Sequence, residues 1–176
     1  FDASKNGYCF LGWYTDAAFT NKVSEIATGT TGDMNLYAKW ELIEYTATFK
    51  DGDTVVETVK FTIESESITE PTVPNHVGYT GAWESYTLGT EDITVNAVYT
   101  LISYDLIYNN VSSATNTNPA TYNVEKLPLT LLNASKTGYI FLGWYTDAIF
   151  TNKVTEIVDG TTGSVELYAK WEAVEY

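Results

Sequence analysis

The stretch GYCFLGWYTDAAFTNKVSEIATGTTGDMNLYAKWE, Gly7 to Glu41, returns 131 positions later as GYIFLGWYTDAIFTNKVTEIVDGTTGSVELYAKWE, Gly138 to Glu172. About three quarters of the aligned positions are identical, and self-similarity at a fixed offset marks a repeat architecture. Between the copies lies a divergent relative, GYTGAWESYTLGTEDITVNAVYT, Gly78 to Thr100. It keeps the Gly-Tyr, a nearby Trp and a closing strand but lacks the TDAAFTNKV insertion. The closing strands align by period: Met34, Leu36, Ala38, Trp40; Ile93, Val95, Ala97, Tyr99; Val165, Leu167, Ala169, Trp171. Each set places apolar groups on one face, as a strand covered on one side requires.

The last residues, WEAVEY (171–176), match WELIEY (40–45), which opens the middle module. Tyr176 therefore reads as the first residue of another module. The repeating unit is a short module from Tyr45 to Leu101 followed by a long one from Ile102 to Glu175. This divides the chain into 1–44, the C-terminal part of a long module; 45–101, a short divergent module; and 102–176, a complete long module with the start of the next linker. Phe1 falls at the point equivalent to Leu132, so the first module lacks its opening strand and crossover. A start without Met reads as a fragment or a processed chain.

In the short module Tyr45, Ala47 and Phe49 alternate with threonines, Lys50–Asp53 supplies a turn, and Val59, Phe61 and Ile63 alternate with polar residues, a hairpin signature. The prolines of ESESITEPTVPN, Glu64 to Asn75, break the pattern and leave room for one helical turn at most. Strands follow near 79–86 and 93–99. The long module opens with a strand over 102–108. It then crosses a polar stretch, 109–128, in which TYNVEKL reads as a short helix or strand. Asp147 to Gly163 is an excursion before the last strand, and 139–145, apolar on both faces, reads as a strand buried on both sides or at a module boundary.

Composition agrees with a mainly β chain, with α+β as the other possibility. Fourteen Tyr, seven Phe and five Trp, with abundant Thr and Val, fit a pleated, half-buried surface and supply ample core material. Nine lysines, no arginine and 23 acids give a net charge of −14. A field of that sign repels phosphate backbones and anionic headgroups, which argues against nucleic acid and membrane surfaces as partners. No apolar run reaches the length of a membrane span, so no membrane insertion is expected. The single cysteine, Cys9, forms no intrachain disulfide and supplies no thiolate metal site; scarcity of cysteine suits both cytosol and Gram-positive surface proteins.

The motif GYxFLGWYTDAxFTNKV followed by GTTGxxxLYAKW resembles the Listeria-Bacteroides repeat family, the class that includes the B repeat of internalin B. The likeness covers 1–40 and 102–171, including the lead-in YDLIYNNVSSATNTNPATYNVEKLPLTL, and the middle segment resembles the shorter companion modules of such repeats. The resemblance implies small β-grasp-like modules in tandem, in secreted or wall-anchored bacterial proteins, serving as spacer or adhesion units. The family offers no catalytic residues to carry over, and no wall-sorting signal is visible.

His76 is the sole histidine, lies in the divergent module and has no equivalent in the long copies, which argues against a catalytic triad. Cys9 corresponds to Ile140 and is expected to be a core filler. Asp16 and Asp147, with Glu156 and Asp159 nearby, lack a calcium-loop pattern, and Asp159 is replaced by Thr28; turn chemistry is expected, with no metal and no cofactor. Trp13, Trp83 and Trp144 are expected in cores, leaving Tyr14 and Tyr145 as candidate surface-binding residues, since aromatic faces stack on sugar rings. Lys22 and Lys153 beside Asn21 and Asn152 raise an internal isopeptide bond, which needs a buried pair and a carboxyl catalyst.

The sequence thus points to a non-catalytic tandem array, an extended rod on the bacterial cell surface or secreted. It would bind a protein or glycan ligand and contact neighbouring repeat modules. The competing class is a carbohydrate-binding module, decided by whether Tyr14 and Tyr145 lie exposed on a flat face.

Overall fold

A computed structural model describes residues 2–175. The readings placed on Phe1 and Tyr176 lie outside the described residues. The chain is mainly β, with strands β1 (Tyr8–Tyr14), β2 (Lys22–Val23), β3 (Tyr37–Leu42), β4 (Tyr45–Asp51), β5 (Thr54–Phe61), β6 (Tyr79–Trp83), β7 (Ile93–Leu101), β8 (Tyr104–Asn109), β9 (Thr121–Tyr122), β10 (Leu129–Thr130), β11 (Tyr139–Tyr145), β12 (Lys153–Val154), β13 (Glu156–Ile157) and β14 (Val165–Ala173). A single 3-10 turn, Val124–Lys126, is the only helical element among the described residues. By compactness the chain forms two units, one of residues 1–74 and 82–98, the other of residues 75–81 and 99–176.

The second unit holds the stretch read from sequence as the long module. Its five-stranded sheet runs β12-β11-β14-β8-β9, with β14 parallel to β8 and the other pairs antiparallel. The alternation read in the closing strand decides the core. Leu167 and Ala169 are fully buried, and Leu106, Tyr122, Leu131, Trp144 and Ile157 join them. The excursion after Tyr145 returns to the module through β13, which pairs with β10 (Leu129 opposite Ile157) and seals the core from the side. The TYNVEKL segment contains both of its expected elements, strand β9 and the 3-10 turn.

The middle module, whose residues 75–81 and 99–101 fall in the second unit and the rest in the first, forms the hairpin read from its sequence, β4 against β5, and β4 also pairs in parallel with β7. The sheet order is β5-β4-β7-β6. Counting only the four strands that correspond, and leaving out β10, β12 and β13, this is the 2-1-4-3 order of β9-β8-β14-β11 in the long module, so the divergent sequence keeps the topology. Ala47, Phe49, Phe61 and Val95 are its buried core, and Trp83 packs on Phe49 with ring centroids 5.0 Å apart.

The first module forms only a three-stranded sheet, β2-β1-β3. Its closing strand was expected from Met34, yet β3 begins at Tyr37 and Met34 is exposed. In the long module Val165–Tyr168 pairs with β8; among the described residues no such strand lies beside the equivalent residues 34–37, and unpaired backbone does not hold a ladder. For the same reason no hydrophobic side chain before Ala47 is buried among the described residues. Ile26 is 54% exposed where its equivalent Ile157 is 5% exposed, a difference worth roughly 2 kcal/mol of burial.

Two expectations for the strand Tyr139–Tyr145 and its counterpart are corrected. Tyr139 and Ile140 are exposed, so the strand is not buried on both sides, and Cys9 is exposed rather than core filler. Phe141 packs on the core from one face of its strand while its neighbour Ile140 is exposed on the other, and in the first copy Phe10 is half-buried beside the exposed Cys9.

Candidate functional site

The insertion loop carries the two aromatic candidates. At the end of β11 the Asp147 carboxylate accepts the backbone N–H groups of Thr151 at 2.9 Å and Asn152 at 2.7 Å. Asp16 accepts those of Ala18, Thr20 and Asn21 at 3.1, 3.1 and 2.8 Å. Backbone donation to the charged form, led by Thr20 for Asp16 and by Thr151 for Asp147, holds both carboxyls below the usual carboxylate range. These aspartates act through turn chemistry, as their sequence context implied.

At the loop tip Phe19 and Phe150 adopt φ of 56° and 60°, which costs a residue with a side chain roughly 1–2 kcal/mol. The conformation turns each ring edge-on to its tyrosine, Phe19 to Tyr14 and Phe150 to Tyr145, with centroids 5.5 Å apart in both pairs. Lys39 and Lys170 place their ammonium groups 5.6 and 5.5 Å from the Tyr14 and Tyr145 centroids. Both tyrosines are half-buried, and the rings within each pair stand at 82° and 81° to one another.

The remaining candidates serve structure. Trp144 is buried and its indole donates to the Leu132 carbonyl at 2.9 Å; Trp83, half-buried, packs on the middle module's core and donates to Pro71 at 2.8 Å; Trp13, expected in a core, is instead half-buried in a module without buried hydrophobic side chains among the described residues and meets Phe10 edge-on. His76 stacks on Tyr99 with centroids 4.0 Å apart. The alkyl stems of Lys22 and Lys153 lie across the bulge glycines Gly12 and Gly143, where a Cβ would sit 2.5 and 2.4 Å from the lysine Cε. No polar or charged side chain is buried among the described residues, so neither lysine has a buried partner for an isopeptide bond. Glu156 and Asp159 are exposed.

A different set of residues, which sequence reasoning missed, recurs at every Gly-Tyr. The tyrosine N–H closes a turn onto the residue three before it (Lys5, His76, Lys136), and the glycine carbonyl accepts the N–H of the residue that follows the closing strand (Ile43, Ile102, Val174). His76 therefore does have positional counterparts in the long copies, and they are lysines.

Against this turn sits the next module. Beyond β5 the segment Thr62-Ile63-Glu64-Ser65 folds back with Ser65 N–H on the Thr62 carbonyl and Glu64 N–H on the Thr62 hydroxyl; beyond β9 Asn123-Val124-Glu125-Lys126 does the same with Lys126 on Asn123 and Glu125 on the Asn123 side chain. Each begins one residue after an aromatic anchor, Phe61 or Tyr122, paired across the hairpin with Tyr45 or Tyr104. Ile63 packs on Gly7 so closely that a Cβ there would lie 2.5 Å from it, and Val124 packs on Gly78 at 2.4 Å by the same measure. The Tyr8 hydroxyl donates to Glu64, and the Tyr79 hydroxyl donates to Glu125 at 2.8 Å. The spacing from anchor to anchor differs between modules, 45 to 61 against 104 to 122, which hides the correspondence from a linear alignment.

In the comparison to known families the model of the Listeria-Bacteroides repeat domain matches residues 2–39 and 99–170, the two stretches that hold the copies of the repeat. The chain belongs to the Listeria-Bacteroides repeat family. Among relatives of this repeat protein, one named "Putative Gly-rich membrane protein", from Evansella cellulosilytica, is 32% identical over 189 residues, covering 98% of the chain and 21% of the relative. Internalin H of Listeria monocytogenes is 39% identical over 92 residues, covering 50% of the chain and 16% of the relative. The matched stretches thus span only 21% and 16% of the lengths of these relatives. No helix among the described residues is long and apolar enough to cross a membrane.

Proposed function

We propose that this chain is a non-catalytic segment of a bacterial surface or secreted protein, in which tandem repeats space or present a binding partner outside the cell. The observation that carries this reading is the Gly-Tyr junction, built twice from equivalent residues, Gly7–Tyr8 against Ile63–Glu64 and Gly78–Tyr79 against Val124–Glu125. A device that fixes one module on the next serves an array rather than a cleft. The names of the relatives, a membrane protein and an internalin, support a surface setting.

Stacking of a sugar on Tyr14 or Tyr145 finds little support, because each tyrosine meets a phenylalanine at near right angles instead of extending a flat face. To test the spacer reading, a peptide tag would be displayed on a Gram-positive wall through one, two or three copies of the short-plus-long unit. Capture of the cells by tag-binding beads should rise with copy number. Copy-independent capture, or saturable binding of the chain to a glycan array lost in Tyr145→Ala, would overturn it.

A further inference from the structure

The third Gly-Tyr, Gly138–Tyr139, has the backbone features of the first two and the lysine of the first. Tyr139 N–H closes on the Lys136 carbonyl at 3.1 Å, Val174 N–H binds the Gly138 carbonyl at 3.0 Å, and φ at Gly138 is 79° against 76° and 82° at Gly7 and Gly78. The Lys136 ammonium lies 4.4 Å from the Tyr139 centroid as Lys5 lies 3.6 Å from Tyr8. Only the cover differs. A Cβ on Gly138 would meet nothing within 4 Å, Tyr139 is 43% exposed, and among the described residues no carboxylate meets its hydroxyl.

We infer that Gly138, Tyr139, Lys136 and Val174 form a docking site for the turn of a following short module, whose isoleucine-glutamate pair, equivalent to Ile63–Glu64, seats its aliphatic side chain on Gly138 and its carboxylate on the Tyr139 hydroxyl. The occupant is fixed by the two filled copies, both of which take a β-branched aliphatic residue followed by glutamate, one and two residues into the turn after an aromatic anchor. Glycine is required because the φ is left-handed and because a side chain would occupy the seat of the incoming aliphatic group. The contact is small, and it suffices because the partner is covalently tethered, so association is intramolecular and its effective concentration is high. The site works in the same way whether the array spaces or adheres.

The test uses the full chain and the full chain extended after Tyr176 by a copy of residues 46–101, since Tyr176 stands in the place of Tyr45. Amide hydrogen exchange at Val174 should slow about tenfold or more in the extended chain, as expected when a fraying contact becomes part of a cooperative unit. An extension whose copied pair carries Ile63→Ser and Glu64→Gln should form its own hairpin, seen in its protected amides, yet leave Val174 exchanging as in the unextended chain. Gly138→Ala should be milder than Gly78→Ala in the unextended chain, because the backbone strain is shared and only Gly78 has a neighbour to clash with. In the extended chain Gly138→Ala should abolish the Val174 protection. Equal protection by both extensions, or protection that depends on the concentration of the unextended chain, would overturn the assignment.

Discussion

The Trp144 indole N–H donates to the Leu132 carbonyl at 2.9 Å, and the same carbonyl accepts the Asn118 side-chain amide at 2.7 Å. Because the oxygen keeps Asn118 when the indole is lost, the cost of Trp144→Ala is mainly the emptied core site. It should destabilise the long module by about 3–5 kcal/mol, as large-to-small changes at buried aromatics do. The half-buried Trp13→Ala should cost clearly less. Chemical denaturation followed by near-ultraviolet circular dichroism compares the two, and equal losses would mean the first module has a core of its own.

Ile157 and Ile26 give the same contrast with a smaller side chain. Ile157→Ala removes a buried group opposite Leu129 and should cost about 2–5 kcal/mol. Ile26→Ala, at an exposed site, should stay within about 0.5 kcal/mol. Denaturant midpoints of both variants measure this, and a large effect at Ile26 would show that it finds cover in solution.

Asp16 and Asp147 set an acid limit to the insertion loops. Their carboxyls are held below the usual range in the folded chain by backbone N–H donors, so the stabilisation is present above the unfolded carboxylate pKa and is lost as pH falls through the lower, folded value. Thr151 and Asn152 amide resonances should therefore shift together at acid pH. Asp147→Asn should remove that transition in the second loop and leave the Thr20 and Asn21 transition intact.

At the alkaline end the order is reversed. Hydrogen bonds to Glu64 and Glu125 raise the Tyr8 and Tyr79 phenols above their ordinary value, so their contribution is full below the unfolded tyrosine pKa and is lost as pH rises through the folded one. Burial pushes Tyr108 up to about 12. Ultraviolet titration should find Tyr108 ionising late. Tyr79→Phe should remove a raised step while leaving that of Tyr108, and a tyrosine titration with no raised step would contradict the junction geometry.

Cys9 is exposed on β1, so the native chain should react fully with a maleimide without denaturant. Cys9→Ile, which copies the exposed Ile140, should leave the denaturation midpoint unchanged within about 0.5 kcal/mol. Protection of the thiol until unfolding would mean that another surface covers this face.

Sequence alone determined the repeat, the β character and the family, because identity at a fixed offset and two-residue alternation are properties of the linear chain. The closing-strand periodicity located Val95, Leu167 and Ala169 in the cores, and the Asp-Gly turn located the β4–β5 hairpin. Apolar residues on both faces of 139–145 suggested burial on both sides and a core place for Cys9, but composition does not say whether a second layer covers the outer face; the tertiary structure leaves Cys9 and Ile140 exposed. It also decided where the first module stops being ordered sheet, since Met34 carries the right side chain for a strand but finds no β8 equivalent to pair with among the described residues. The junction was invisible for the opposite reason. Ile63 and Val124 lie at different distances from the starts of their modules, and only the folded hairpins, closed by Tyr45 on Phe61 and Tyr104 on Tyr122, bring both to the same place against a glycine that has no side chain to announce the contact.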